Sequence, residues 1–187
     1  IDTVVHLASF PRQKVVNSNP IEGSKTMSEG LLNLLEACVY TNVKKFVYIS
    51  SSMVYGDFEH DVTEETKCNP IGQYAIYKLM GEDLIKDYQR RTGLPYTIIR
   101  PSAVYGEYDV EDRVISKFML MAMRDQTLKV NGANETLDFT YVEDTVNSIY
   151  LLMRMSAIKP MAEFEIFNIG GGHPYSLNDL INEFEEQ

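Results

Sequence analysis

The chain has 187 residues, of which 44% are hydrophobic and 24% charged, a balance typical of a soluble globular domain. Its formal net charge of −10 at pH 7 argues against nucleic-acid binding, which needs a basic face. No apolar run reaches the roughly 18 residues of a membrane span, and no signal peptide is visible. Cys38 and Cys68 lack the spacing of a disulfide framework or a metal site, so we expect a cytoplasmic protein with no metal and no membrane partner.

Short apolar strands alternate with longer helices along the sequence. Strands are predicted at residues 1–8, 46–49, 96–100 and 164–169, where apolar and β-branched residues are typical of a buried parallel sheet. Helices are predicted over about 21–40, 70–91, 112–124, 143–155 and from the N-cap Ser176 onward, with Pro70 in a first turn and Gly93 at a stop. Two short strands, 128–130 and 138–142, flank a turn around Gly132, and residues 57–69 form an acidic surface loop. This order predicts an α/β fold with a doubly wound parallel sheet.

Both ends of the chain fall inside predicted elements. Ile1 lies within a buried strand, and Glu186 lies within a helical pattern. We therefore expect the chain to be a fragment of a longer protein.

Tyr74 and Lys78 are four residues apart on one predicted helix and so share a helix face. The ammonium would favour the phenolate and lower the pKa of Tyr74, which would make the phenol a usable general base or acid. Ser51 follows the second strand, at the sheet edge where open α/β folds bind ligands. Together the three groups suit removal of a hydroxyl proton while a hydride leaves the same carbon. A Tyr-x-x-x-Lys pattern alone is also found on ordinary helix surfaces.

An ordered set of motifs covers essentially the whole chain. It comprises Val5-His6-Leu7-Ala8, Asn33-Leu34-Leu35-Glu36-Ala37, Ser50-Ser51-Ser52-Met53-Val54-Tyr55-Gly56, Tyr74-x-x-x-Lys78, Arg100-Pro101-x-x-Val104-Tyr105-Gly106, Asp138-Phe139-Thr140-Tyr141-Val142-x-Asp144 and Phe167-Asn168-Ile169-Gly170. In this order the motifs resemble the extended short-chain dehydrogenases/reductases, specifically the NAD-dependent epimerase/dehydratase family acting on nucleotide sugars.

The resemblance implies a role for several residues. Ser51, Tyr74 and Lys78 would form the catalytic triad. The cofactor would be bound by Leu7, Ala8, Ser9, Ile49, Ser50, Tyr74, Lys78 and Pro101, and the substrate by Ser51, Ser52, Met53, Ser102, Ala103 and Arg113. Residues 1–105 and 143–176 would form a Rossmann-like NAD-binding core, and residues 106–142 and 177–187 would belong to a small substrate-binding lobe. The family's Gly-rich turn would lie before Ile1, so NADP stays open beside NAD and the chain alone is expected to bind either cofactor poorly.

Departures from the family pattern narrow the substrate. Ser52 and Met53 stand where the family's dehydratases carry Asp-Glu, which argues against a 4,6-dehydratase. Ala103 and Leu137 replace an Asn and an Arg that contact phosphates in relatives. Arg113, Lys117 and Arg124 lie within about 40° of one face on an ideal helix and are either a replacement diphosphate grip or a solvated face.

Three functions follow from the resemblance. The first is a nucleotide-sugar epimerase, in which Tyr74 takes a ring-hydroxyl proton as NAD+ accepts the hydride. The second is an NAD(P)H-dependent ketoreductase with the same triad, and the third is a non-catalytic NAD-binding relative. The family also implies a homodimer in which the helices around 22–40 and 70–91 form a four-helix bundle, although their apolar residues could serve the sheet instead.

Overall fold

The structure, a computed structural model, describes residues 1–57, 62–128, 130, 132, 135–155 and 164–185. The chain divides into two compact units, one formed by Ile1–Pro101 with Ile149–Asn168 and the other by Ser102–Ser148 with Ile169–Gln187. The assignment of a cofactor-binding core and a substrate-binding lobe to particular ranges stays a prediction.

Eight strands and seven α-helices are assigned among the described residues. In chain order they are β1 (Thr3–His6), α1 (Gln13–Ser18), α2 (Pro20–Ser24), α3 (Gly30–Tyr40), β2 (Lys45–Ile49), α4 (Gln73–Thr92), β3 (Tyr96–Pro101), β4 (Val104–Tyr105), α5 (Val114–Met123), β5 (Thr136–Asp138), β6 (Thr140–Tyr141), α6 (Val142–Met155), β7 (Phe164–Ile169), β8 (Pro174–Ser176) and α7 (Leu177–Glu185). A π-helical segment, Lys25–Glu29, joins α2 to α3, so the helix predicted over 21–40 is present with a change of pitch inside it.

The first unit is built on a four-stranded sheet in the order β1-β2-β3-β7. Strands β1 and β2 are parallel, as are β2 and β3. The first four residues of β2 are all buried, as expected for a parallel sheet that is covered on both faces. The predicted α/β fold with a parallel sheet is therefore confirmed.

Helices α3 and α4 cover one face of this sheet. Leu31 and Leu35 of α3 and Ile85 of α4 pack with Phe46 and Tyr48 of β2 in one hydrophobic core. On the other face, the buried Lys45 donates from Nζ to the carbonyl oxygen of Leu152 in α6 at 2.8 Å. The apolar residues of α3 thus mainly serve the sheet.

The second unit contains two small sheets. Strands β4 and β6 pair in parallel, and β5 and β8 pair antiparallel. The single strand predicted at 138–142 is wrong: β5 ends at Asp138, β6 begins at Thr140, and Val142 already begins α6. The two halves pair with different strands, β5 with β8 and β6 with β4.

Helix ends are where prediction and structure differ most. Helix α4 begins at Gln73, because Gly72 has a φ of 87° that no helix accommodates, and Pro70 precedes the helix rather than occupying its first turn. Gly93 ends α4 in the left-handed conformation, with a φ of 74°, as predicted. Ser176 and Asp179 form the expected capping box: the Asp179 N–H donates to Ser176 Oγ at 3.1 Å, and the Ser176 N–H donates to Asp179 Oδ2 at 2.9 Å.

Other short-range predictions have mixed outcomes. Neither Leu128 nor Val130 lies in a strand, and Lys129, Ala133 and Asn134 fall outside the described residues, as do residues 58–61 of the acidic loop. The sequence patterns missed α1, β4 and β8. No helix in the described part of the chain is long and apolar enough to cross a membrane.

Candidate active site

The site begins where β2 ends. The Ser50 N–H donates to the Ile99 carbonyl oxygen at 2.7 Å, which continues the β2–β3 ladder for one more residue. Ser51 follows in an extended conformation, and its Oγ accepts a hydrogen bond from the Met53 N–H at 3.2 Å. This contact caps a 3₁₀ turn at Ser52–Tyr55, so the Ser51 hydroxyl is held at the carboxyl end of the strand.

Lys78 joins α4 to this strand end. Its Nζ donates to the Ile49 carbonyl oxygen at 2.7 Å, two residues before Ser51. The same nitrogen lies 5.6 Å from the centroid of the Tyr74 ring, so the predicted pairing of phenol and ammonium on one helix face is present. The structure thus places Lys78 beside Tyr74 and at the strand end that carries Ser51.

The ammonium of Lys78 is almost completely buried, with 4% of the residue exposed. Burial lowers the pKa of Lys78 from 10.5 to about 8. One ammonium hydrogen is used by Ile49, and an ammonium carries three donors. The group can therefore stabilise a phenolate at Tyr74 and still donate to another acceptor.

Two aromatic side chains, Tyr48 and His6, lie near the Lys78 ammonium. The sequence alone did not predict a role for either of them in the site. Lys78 Nζ is 5.3 Å from the centroid of the Tyr48 ring, and His6 stacks on Tyr48 with ring centroids 5.9 Å apart. Burial, and then the charge of Lys78, lowers the pKa of His6. Burial, and then the charge of Glu82, raises the pKa of Tyr48. Both groups are therefore uncharged at neutral pH, and the surface beneath the ammonium is aromatic and neutral.

The residues predicted to bind a cofactor follow the ends of adjacent parallel strands. Leu7, with 64% of its surface exposed, and the exposed Ala8 follow β1, and Ser9 donates from Oγ to the Phe10 carbonyl oxygen at 2.9 Å. Ser50 follows β2 but is 2% exposed, and its Oγ donates to Glu82. Pro101 is the last residue of β3. Adjacent parallel strands end at one sheet edge, so these residues share it, although their role in cofactor binding stays a prediction.

The residues predicted to bind substrate fall in both units. Ser52 and Met53 lie in the 3₁₀ turn of the first unit, and Met53 is 41% exposed. In the second unit, the Ser102 N–H donates to the Ile169 carbonyl oxygen at 2.8 Å, and the Ala103 carbonyl oxygen accepts from the Thr140 N–H at 3.3 Å. Their contact with substrate stays a prediction.

The three cations predicted to share one face of α5 lie at both ends of the helix and inside it. Arg113 is the extended N-cap residue, with a ψ of 149°, and Arg124 is the non-helical C-cap, so only Lys117 lies within the helix. Arg113 Nε also pairs with Asp109 Oδ2 at 3.2 Å. Both end residues nevertheless keep helical backbone bonds, since the Lys117 N–H donates to the Arg113 carbonyl oxygen at 2.7 Å and the Arg124 N–H donates to the Leu120 carbonyl oxygen at 3.1 Å. The two interpretations of these cations, a diphosphate grip and a solvated face, stay predictions.

Comparison with known proteins shows relatives that are similar to this chain along its whole length. The chain is 30% identical over its whole length to the uncharacterised UDP-glucose epimerase YtcB of Bacillus subtilis, covering 58% of that protein. It is 31% identical to a UDP-glucuronate 4-epimerase of Thermodesulfobacterium geofontis, with 99% of this chain and 56% of the relative covered.

A solved structure is similar as well. The UDP-glucuronic acid 4-epimerase of Bacillus cereus, determined in complex with UDP-glucuronic acid and NAD, matches with a TM-score of 0.90 and 30% identity, covering 100% of this chain and 59% of that one. The chain thus spans less than two thirds of the length of these relatives. The model of the NAD dependent epimerase/dehydratase family matches residues 1–170, and the chain belongs to that family.

Proposed function

We propose that this chain supplies the catalytic residues of an NAD-dependent nucleotide-sugar epimerase. The observation that carries the proposal is the buried Lys78 ammonium, held 2.7 Å from the Ile49 carbonyl oxygen and 5.6 Å from the centroid of the Tyr74 ring. Ser51 follows two residues after Ile49, so a hydroxyl, a phenol and an ammonium are supplied to one strand end. The relatives named as UDP-glucose and UDP-glucuronate epimerases support the substrate class.

Each residue has a distinct task in this proposal. Tyr74 takes the proton of a ring hydroxyl and later returns it to the same oxygen. Lys78 stabilises the phenolate form of Tyr74 through its charge. Ser51 donates a hydrogen bond to the substrate oxygen while its own oxygen accepts from the Met53 N–H at 3.2 Å. The Tyr74→Phe change should therefore abolish proton transfer without removing the Met53 N–H, the hydrogen-bond donor that orients Ser51.

The residues at the sheet edge fit the nicotinamide half of NAD. Leu7 offers an exposed apolar surface after β1, and Lys78 has two ammonium hydrogens beyond the one that Ile49 accepts. We propose that Leu7, Ala8, Ser9 and Pro101 bind along the cofactor and that Lys78 donates to its ribose hydroxyls. When bound, NAD+ would accept the hydride of the substrate carbon and return it to the opposite face.

Two broader features complete the proposal. We propose that the full-length protein is a homodimer that pairs α3 and α4 of each subunit, and that it is cytoplasmic.

We also propose that the substrate is bound by Ser52, Met53, Ser102, Ala103 and Arg113. Arg113 would leave Asp109 when it contacts a phosphate.

The test uses the full-length protein. Nucleotide released on denaturation is identified by mass spectrometry, and UDP-, GDP-, CDP- and dTDP-sugars are then assayed for epimer formation. We expect bound NAD and interconversion of one sugar, with Tyr74→Phe lowering kcat by roughly 10²- to 10⁴-fold.

Tyr88→Phe is the matched control, because it makes the same chemical change further along α4. Tyr88 is 4% exposed, and its hydroxyl contacts Glu36 on α3 rather than the strand end. We expect its kcat to match that of the unmodified protein. Oxidation of NADPH by a keto compound without epimer formation would instead establish a ketoreductase, and NAD binding without any turnover would establish a non-catalytic relative.

A further inference from the structure

A buried ion pair lies one helical turn beyond Lys78, in the first unit. Glu82 of α4 is 0% exposed, and Arg100 of β3 is 2% exposed. Arg100 donates from Nε to Glu82 Oε1 at 2.9 Å and from Nη2 to Glu82 Oε2 at 2.6 Å, which is the bidentate geometry of a strong charge-assisted pair. The Nζ of the partly exposed Lys86, one turn further along α4, lies 3.7 Å from Glu82 Oε2. The hydrogen bonds with Glu82 outweigh burial and raise the pKa of Arg100, so the guanidinium stays charged.

Hydrogen bonds extend this pair in both directions. Ser50 Oγ donates to Glu82 Oε1 at 2.6 Å. Arg100 Nη1 donates to Tyr55 Oη at 2.8 Å, and Tyr55 Oη donates in turn to Asn168 Oδ1 at 2.8 Å. The network therefore links α4 to the end of β2, to β3, to the 3₁₀ turn after Ser51 and to β7.

Stability alone explains such a network poorly. Burying two charges costs desolvation free energy that their attraction only partly offsets, and apolar pairs of similar volume are often as stable. Apolar contacts, unlike hydrogen bonds, have no preferred direction. A bidentate ion pair that also bonds a third partner fixes both the distance between its side chains and their relative orientation. The geometry of Glu82 therefore points to placement of α4.

The placement matters because of helix periodicity. Tyr74, Lys78 and Glu82 recur every fourth residue and lie on the same side of α4. A shift of α4 that moves Tyr74 away from the strand end must also pull Glu82 away from Ser50 and Arg100. Ser50 is covalently next to Ser51, so the same contact fixes the position of the Ser51 backbone.

We propose that Glu82, held by Arg100, is a positioning residue that fixes Tyr74 and Lys78 against Ser51. Its catalytic consequence rests on the proposed function, since it concerns proton transfer at Tyr74. Its structural consequence does not, because the network orders the strand end and the first two turns of α4 in any case.

The first test compares Glu82→Gln with Asp83→Asn in the full-length protein. Both changes replace a carboxylate by the amide of the same shape. Asp83, however, is exposed, and its Oδ1 lies 3.6 Å from the Nζ of Lys86. We expect Glu82→Gln to lower kcat by roughly 10- to 100-fold, as small displacements of reacting groups do, and to leave KM and the amount of bound nucleotide within about twofold. Asp83→Asn should match the unmodified protein in all three.

A second variant keeps the ion pair intact. Ser50→Ala removes only the hydroxyl that Glu82 holds, so it remains informative if Glu82→Gln fails to fold. We expect kcat to fall by about fivefold, the effect of losing one hydrogen bond, with bound nucleotide unchanged. A drop in bound nucleotide with kcat preserved would instead assign Ser50 to cofactor binding and overturn its role as the anchor of Ser51.

Amide hydrogen exchange supplies a readout that needs no turnover. Peptides covering residues 49–55 and 73–82 should exchange faster in Glu82→Gln than in the unmodified protein. The unfolding temperatures of the two proteins should differ by no more than a few degrees. Unchanged exchange in these peptides would overturn the positioning role, and so would a loss of kcat that simply follows a fall in unfolding temperature. Turnover absent from the unmodified protein would contradict the proposed function alone, because the exchange result still decides what Glu82 does.

Discussion

Specific contacts offset part of the free-energy cost of burying the Lys78 ammonium. A lysine that is 4% exposed loses most of its hydration, and only one described carbonyl oxygen, that of Ile49, accepts from it directly. The faces of Tyr48 and Tyr74 add electrostatic attraction at 5.3 and 5.6 Å. These contacts do not fully replace water, and the pKa of about 8 reflects the deficit.

This pKa predicts how activity depends on pH. As the pH rises through about 8, Lys78 loses its proton, and with it the charge that stabilises the Tyr74 phenolate. We expect kcat/KM of the full-length protein to fall above that pH, approaching about tenfold for each further pH unit. An arginine stays charged throughout this range, so Lys78→Arg should have lower activity but lack the alkaline decline. Parallel alkaline declines in the two proteins, measured from pH 6 to 10, would contradict the assignment to Lys78.

At the scale of the element, α4 carries the site because it can approach β2 closely. Gly81 faces the sheet, where a Cβ would collide with the Tyr48 hydroxyl and lie 3.1 Å from Leu31 Cδ2. A glycine inside a helix costs about 1 kcal/mol relative to alanine. The close packing of α4 on Tyr48 therefore comes at the expense of helix propensity.

Two glycine-to-alanine changes separate these effects. Gly81→Ala should destabilise the protein by about 1–3 kcal/mol, since the clash with Tyr48 exceeds the gain in propensity. Gly30, at the start of α3, has a helical φ of −59°, and an added Cβ would meet only the Lys25 carbonyl oxygen at an ordinary 3.6 Å. Gly30→Ala should therefore be neutral or stabilising by up to about 1 kcal/mol. Urea unfolding of both variants measures the difference, and equal midpoints would contradict the packing role of Gly81.

The elements show which features the sequence makes predictable. Periodicity predicted the core strands and the long helices, because local patterns determine which residues face the sheet, and the spacing of Tyr74 and Lys78 predicted their pairing. The start of α4 was predicted at Pro70, but the helix begins after Gly72, whose positive φ could not be inferred from the sequence. The pairing of Glu82 with Arg100 spans 18 residues and depends on the strand order, so no local pattern identifies it.

At the scale of the whole molecule, the exposed side of α3 is the surface through which we propose dimerisation. Its exposed residues Asn33, Glu36, Ala37 and Tyr40 recur at helical spacing and form one stripe, while Leu31, Leu35 and Cys38 are buried in the core. Tyr40 is 88% exposed, a large apolar surface for a single residue. The small Ala37 near the middle of the stripe would let a second helix approach closely.

Substitution within this stripe tests the dimer directly. Ala37→Arg places a long side chain where the proposed partner helix would lie, and its bulk would hold the two helices apart and weaken association by tenfold or more, about 1.4 kcal/mol. Ala122→Arg makes the same change at an exposed position of α5 in the second unit, outside the proposed interface. Sedimentation equilibrium of the full-length protein should give a dimer for the unmodified protein and for Ala122→Arg, and a monomer–dimer mixture for Ala37→Arg. If Ala37→Arg associates as tightly as the other two, the dimer forms through a different surface, and the apolar side of α3 serves only the sheet.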